Sequence, residues 1–351
     1  MFEKGMLKEK IEAKGFSFLC RIPEQKRVNK TYLRLKLRDL FSVLYFSLLI
    51  KKKYLKKGAV WFYFGVESIN AVAGAIVRLF LPIDYIIYYI FDWSVKWFRN
   101  RFLNSAYIWF DKIACYGSDF IWNIAETIEE ARREKLRYKQ RKMGLQLTVP
   151  YAMSFRADLV RKDVSGPLNT VVYSGYLSKE NGALLFPDLA KEIGRSRQDV
   201  RFLVIGGGDC LGQMREDIRS KDIDNIILKD EISDQNEIDR ILSTSHIAIA
   251  PYADEEFSKK KYGDMIKIRN YFALGLPVVT TSIPPVSREI IKERLGFVVS
   301  CNVKDLAEAC ISLLSDRNLY SEIRANVINK AQNHTWENIY NRALKEMFHD
   351  K

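Results

Sequence analysis

The sequence predicts an α/β protein of two units, the second built on a parallel sheet with both faces covered, and three observations predict it. At 351 residues the chain exceeds one ordinary core and suits two domains of roughly 150 to 200 residues. From residue 170 onward, short apolar runs alternate strictly with helical periods, as in a parallel sheet covered on both faces. The stretch Lys267-Ile-Arg-Asn270-Tyr-Phe-Ala-Leu-Gly275-Leu-Pro277-Val-Val reads as a helix, a glycine stop and a buried strand in immediate succession.

In the first half, Met6 to Gly15 reads as a helix and Phe16 to Ile22 as an alternating strand. Further strands are expected at Ala59–Phe64, Tyr85–Ile90 and Asp111–Cys115, with helices over about 31–50, 66–79 and 119–142. The last of these collects Arg132, Arg133, Lys135, Arg137, Lys139, Arg141 and Lys142, cations that suit a helix C-terminus. Residues 148–168 lack periodicity and carry turn formers, which places a domain boundary near residue 160. The expected organisation is a first domain over 1–160, a second over 161–335, and a terminal helix over 336–351 packing back toward the first.

After the boundary, strands are expected at Thr170–Ser174, Arg201–Ile205, Asn225–Leu228 and Ile247–Ala250, separated by helices at Gly182–Ile193, Leu211–Lys221 and Asp234–Ser243. The carboxyl ends of these strands lead into Gly175-Tyr176, Gly206-Gly207-Gly208, Asp230 and Pro251-Tyr252, which would converge on one crevice. The helix that starts near Asp264 to Lys267 would offer unpaired N–H groups to a phosphate. Gly206-Gly207-Gly208 fits neither GxGxxG nor GxxxxGK[ST], which speaks against a nicotinamide dehydrogenase and a P-loop nucleotidase.

The net charge of +13 is uneven: residues 1–150 hold 28 Lys/Arg against 14 Asp/Glu, and the remainder 28 against 29. Lys51, Lys52, Lys53, Lys56 and Lys57 follow the apolar run Phe41 to Ile50, a pairing that suits an anionic bilayer surface better than nucleic acid. The longest apolar stretch, Ile69 to Ile90, is interrupted by Asn70, Arg78, Pro82 and Asp84, so peripheral attachment rather than a span is expected. Five scattered cysteines and a charged N-terminus without an apolar core point to a cytoplasmic protein on the inner face of the cell membrane.

The ordered motifs Tyr-Ser-Gly175-Tyr-Leu-Ser-Lys-Glu-Asn181-Gly182, Leu-Val-Ile-Gly206-Gly-Gly-Asp, Ile-Ala-Pro251-Tyr and Lys267-Ile-Arg-Asn270-Tyr271 resemble the sugar-nucleotide-binding domain of GT-B glycosyltransferases. Within these they are most similar to family 4, whose members are retaining. The resemblance covers about residues 168–345 and is fainter in the first half, carried there by Leu7 to Leu19 and by Ser118-Asp-Phe-Ile-Trp122. It implies two Rossmann-like domains, an NDP-sugar donor, and no metal or other cofactor. The only Asp-x-Asp, Asp222-Ile-Asp224, precedes a strand and so lies at the wrong end of the sheet. The resemblance implies a strand and a glycine-rich loop that should precede residue 1 and are absent, so the given start is expected to lie downstream of the true one, or the enzyme to be shortened.

The resemblance places Gly175, Tyr176, Asn181, Gly206, Gly207, Asp230, Pro251, Tyr252, Asp264, Lys267, Asn270 and Tyr271 on the donor, and Lys267 and Asp92 at the reaction centre. The family's diphosphate-clamping arginine and lysine fall at Tyr176 and Asn181, and its two glutamates at Tyr262 and Asn270. Lys267 would supply the missing phosphate charge, with Arg269 a second candidate if it faces the cleft; Asn270 would bind the ribose diol. The expected function is a retaining transfer of sugar to a lipid-linked or polysaccharide acceptor in cell-surface polysaccharide assembly. The neutral clamp positions keep open a binding or scaffold protein that has lost catalysis.

Overall fold

The computed structural model describes residues 38, 40–46, 60–161 and 166–348. The chain divides into two units, Met1–Lys57 and Gly58–Lys351. In the first, residues 40–46 are helical. The expected strand Phe16–Ile22 and the cluster Lys51, Lys52, Lys53, Lys56 and Lys57 lie outside the described residues. The second unit holds two parallel sheets.

The first sheet contains β1 (Phe62–Val66), β2 (Tyr85–Ile90), β3 (Phe120–Asn123) and β4 (Leu145–Thr148) in sequence order, all parallel. Alternation along these strands divides the core. Tyr88, Ile90 and Ile121 pack under α1 (Glu67–Val77), α2 (Arg101–Gly117) and α3 (Glu126–Glu134), while Ile87, Tyr89, Phe120, Trp122 and Leu147 meet Ile339, Ala343 and Met347 of the terminal helix α11 (Trp336–Met347).

Two expectations fail here. Asp111–Cys115 is not a strand but the end of α2, and the strand expected there is Phe120–Asn123. The 119–142 helix is instead β3, α3 and a short 3-10 turn over Gln140–Lys142. The physical reason is a buried polar cluster. Arg132, fully buried, donates from Nε to Asp111 Oδ2 at 3.0 Å and from a guanidinium nitrogen to Asn123 Oδ1 at 2.9 Å, and Asp111 also accepts from the Tyr88 hydroxyl at 2.8 Å. An arginine expected among the cations of a helix C-terminus is thus the centre of the layer between helices and sheet. The chain beyond leaves the helix, with Arg137 at φ +52°.

The second sheet orders its strands β10-β9-β8-β5-β6-β7, where β5 is Thr170–Ser174, β6 Arg201–Ile205, β7 Ile226–Lys229, β8 Ile247–Ala250, β9 Val278–Thr281 and β10 Gly296–Val299. All pairings are parallel. The winding reverses between β5 and β8, where such sheets open a crevice. The helices that matter for the site are α4 (Phe186–Ser196), α5 (Leu211–Ser220), α6 (Gln235–Ser243), α7 (Ile266–Ala273) and α8 (Val286–Glu293), followed by α9 (Val303–Ser315) and α10 (Arg317–Asn333). α7 stops as expected: Gly275 takes φ +72° and β9 begins three residues later.

Candidate functional site

The reversal point is built from backbone. Gly175, directly after β5, has φ +138°, and a Cβ there would lie 2.8 Å from Lys267 Cε and 2.9 Å from its Nζ. Gly206, after β6, has φ +143°, and a Cβ there would collide with the Gly175 carbonyl. Glycine is required at both positions by conformation and by room. Tyr271 of α7 secures the same spot: its hydroxyl accepts from Ser174 N at 2.8 Å and donates to Ser174 O at 3.2 Å. Tyr271 is therefore a positioning side chain.

Lys267 projects from the first turn of α7 onto this surface. Its ammonium donates to the Tyr173 hydroxyl at 2.6 Å, lies 3.9 Å from the centre of that ring and 5.9 Å from the Tyr252 ring. Burial, with Lys260 as a second cation nearby, holds its pKa well below the usual lysine range. Tyr173 and Tyr252, themselves buried, are pushed the other way by desolvation and stay neutral. The ammonium therefore has two ring faces and one hydroxyl but no carboxylate partner among the described residues, an arrangement that an anion would complete. Asn270, half-buried, lies three residues on and so on the same face of α7.

Arg269 does not face the cleft. It is buried, with Nε 3.0 Å from both oxygens of Asp264 and a guanidinium nitrogen 2.7 Å from Glu289 of α8, which Lys330 of α10 also contacts. Asp264 is likewise spoken for, since it also accepts from Tyr151 N at 2.8 Å. Burial pushes Asp264 up against the pull of Arg269, while the two cations outweigh burial at Glu289 and hold it down at about 2. Asp264 and Arg269 thus anchor the start of α7 instead of offering groups to a ligand.

The remaining expected residues separate into three places. Tyr176 is exposed at the lip and donates to Asp209 at 2.8 Å; its carbonyl accepts from Tyr173 and from Asn181 Nδ2 at 2.9 Å. Asn181 Oδ1 is buried with no partner among the described residues. Gly207 follows β6, Pro251 and Tyr252 follow β8 and are buried, and Asp230, exposed beyond β7, pairs with Arg215 at 2.6 Å. Asp92 sits past the carboxyl end of β2 and reaches Lys259 of the second sheet's loop at 3.1 Å. Tyr262 is buried against Trp93 and 3.0 Å from Lys135 Nζ, so it joins the two sheet regions.

Sequence reasoning missed Tyr173 and Glu67. Tyr173 reads as one more apolar residue of a buried strand, although it carries Lys267. Glu67 begins α1 at φ +67°, rare for a non-glycine residue, and its carboxylate accepts from Phe91 N at 3.4 Å. Nothing in the local sequence marks that strain. Among the described residues no three His, Cys, Asp or Glu side chains cluster as a metal would require.

Two parallel sheets, the second wound in both directions around the Gly175–Lys267 crevice, define the GT-B fold. Residues 168–316, which span the second sheet, match the family described as Glycosyl transferases group 1. Solved structures share the fold. The pneumococcal O-GlcNAc transferase GtfA in complex with UDP and GlcNAc aligns with TM-score 0.57 at 15% identity, over 76% of this chain and 53% of that one. The lipopolysaccharide outer core galactosyltransferase WaaB gives 0.63 at 14% identity, over 91% and 82%, and an E. coli trehalose-6-phosphate protein bound with UDP-2-fluoro glucose gives 0.66 at 10%, over 93% and 79%. The chain thus spans about half of the first and about four fifths of the other two. No curated protein matches the sequence.

Proposed function

We propose that the protein transfers a sugar from an NDP-sugar held in the β5/β8 crevice to a hydroxyl of a glycan or lipid-linked acceptor. One observation carries the reading: the ammonium of Lys267 lies at the carboxyl end of β5, against two buried tyrosine rings and a glycine too small to displace it. Lys267 takes the diphosphate and Asn270 the ribose hydroxyls. Charge grows on the departing phosphate as the glycosidic bond breaks, so a cation fixed there in a poorly hydrated site stabilises the transition state. The acceptor hydroxyl attacks from the side on which the nucleotide departs and gives its proton to the leaving phosphate, which retains the anomeric configuration. Asp92, across the cleft, orients the acceptor, and no metal or other cofactor takes part.

The similar structures support this reading: one holds UDP and GlcNAc, one UDP-2-fluoro glucose, and one is a lipopolysaccharide outer core galactosyltransferase. Polysaccharide assembly on the inner face of the membrane is the setting we infer, and the five lysines over 51–57 belong to that proposal. No helix among the described residues is long and apolar enough to cross a membrane. A second reading, a binding subunit without catalysis, is favoured by Tyr176 and Asn181, whose side chains hydrogen-bond to the protein's own loops. Release of nucleoside diphosphate from UDP-glucose, UDP-galactose, UDP-N-acetylglucosamine and GDP-mannose separates the two. Turnover of one of them that falls roughly 100-fold in Lys267→Ala supports the enzyme; tight binding of a donor without turnover supports the subunit.

A further inference from the structure

Helix α2 shows an outer face that a water-facing helix would not carry. Phe102 is 87% exposed and Trp109 57%, and with Ser105 and Ala106 between them they form one stripe at i, i+3/i+4 and i+7. Large aromatics held this far into water are costly unless something covers them, since burying one is worth about 1.5 to 3 kcal/mol. The opposite face of the helix is satisfied: Asp111, Ala114 and Cys115 are buried, and Asn104 holds the preceding loop through Trp97 N and Phe98 N. The stripe is therefore not a misplaced core face.

The surroundings say what covers it. Lys96, Arg99, Arg101 and Lys112 are exposed beside the stripe, and the one carboxylate within α2, Asp111, is buried on Arg132. Arg99 lies 5.5 Å from the Phe257 ring and Lys96 2.7 Å from Glu256, both on the second sheet's loop, so the patch continues to the rim of the crevice. Asp92, two residues past β2, sits on the same rim. Aromatic side chains flanked by cations on one helix face fit the boundary between lipid headgroups and acyl chains, where the rings bury and the cations meet phosphates. A second protein copy would have to bring the matching anions.

We propose that the α2 face of Phe102, Ala106 and Trp109, with Arg99, Arg101 and Lys112, docks on an anionic bilayer and so sets the crevice mouth at the lipid headgroups. This rests on the glycosyl-transfer reading above and narrows it: the acceptor presents its hydroxyl from the membrane, as a lipid-linked glycan or glycolipid does.

Co-sedimentation of the full chain with vesicles of phosphatidylcholine, alone and mixed equally with phosphatidylglycerol, tests the proposal. The wild type should pellet with the mixed vesicles and less at high salt. Phe102→Ser with Trp109→Ser should lower the partition coefficient by roughly 10- to 100-fold. Arg99→Glu with Arg101→Glu should lower it as well and weaken its salt dependence. Unchanged melting temperatures and unchanged UDP binding in both variants would show that folding and the crevice are intact. If the aromatic variant pellets like the wild type, the face does not dock and the proposal is overturned. It is overturned too if the wild type stays in the supernatant and light scattering shows a dimer that the aromatic variant breaks. Failure of nucleotide binding in the wild type would instead sink the transfer reading.

Discussion

Replacing Lys267 by methionine should raise or leave unchanged the stability of the empty protein while weakening nucleoside diphosphate binding. The two effects have separate origins. Without ligand, partial burial disfavours the ammonium and lowers its pKa, a cost that the tyrosine hydroxyl and two rings do not fully offset. Methionine is unbranched and of similar length, so it follows the same path between the rings without leaving a cavity. Tyr173 keeps its other bond, donated to the Tyr176 carbonyl at 2.8 Å. The net change is expected between zero and about 1 kcal/mol in favour of the variant. With ligand present, one charge-assisted contact to phosphate is lost, worth about 1.5 to 3 kcal/mol or roughly 10- to 150-fold in Kd. The nucleoside alone, which has no phosphate, should bind both proteins equally. Denaturant unfolding and calorimetry with the nucleoside diphosphate and nucleoside read the two halves. Destabilisation beyond about 2 kcal/mol, or equal losses for both ligands, would show that Lys267 is a structural residue.

Gly175→Ala should cost about 1 to 3 kcal/mol of stability from backbone strain at φ +138° and displace Lys267, so binding should fall with it; wild-type affinity in this variant would refute the packing described. Arg269→Met should destabilise by about 3 to 5 kcal/mol by leaving Asp264 and Glu289 buried without their shared cation, which thermal unfolding would detect. His246 is buried and neutral: its Nδ1 accepts from Thr170 N at 3.2 Å, its Nε2 lies 2.7 Å from Arg161, and burial, with Arg161, Arg317 and Arg324 nearby, lowers its pKa to about 4. The unfolded chain, at about 6.5, then binds a proton that the folded one refuses, so stability is unaffected above that value and is lost as pH falls toward 4, by roughly 2 to 4 kcal/mol. His246→Gln should flatten that slope, and an unchanged slope between pH 6.5 and 4 would reject the assignment.

The second sheet was legible because its strands are buried on both faces and so read as unbroken apolar runs. Arg201–Ile205 and Ile247–Ala250 coincide with the expected spans, and Gly175, Tyr252 and Lys267 meet at the crevice. In the first sheet an apolar segment of α2 and a buried strand look alike over five residues, and only a partner distant in sequence separates them. Asp111 finds Arg132 twenty-one residues on, which no local period reveals. The same holds within α7. Spacing tells that Lys267 and Arg269 face different ways, but which one meets the cleft depends on Glu289 of the next helix and Asp264 before it. Tyr173 and the strained Glu67 were invisible for that reason too, since their roles come from α7 and from the Phe91 amide.

Titration calorimetry of the full chain with UDP, GDP and ADP tests the central claim most directly, because the crevice is proposed to hold a nucleoside diphosphate whatever the sugar or acceptor. The account predicts that at least one binds with Kd well below about 1 mM and that Lys267→Met removes most of that affinity. If none of the three binds more tightly than about 1 mM, the Gly175–Lys267 crevice is a packed α/β junction and the reading of this protein as a glycosyltransferase fails.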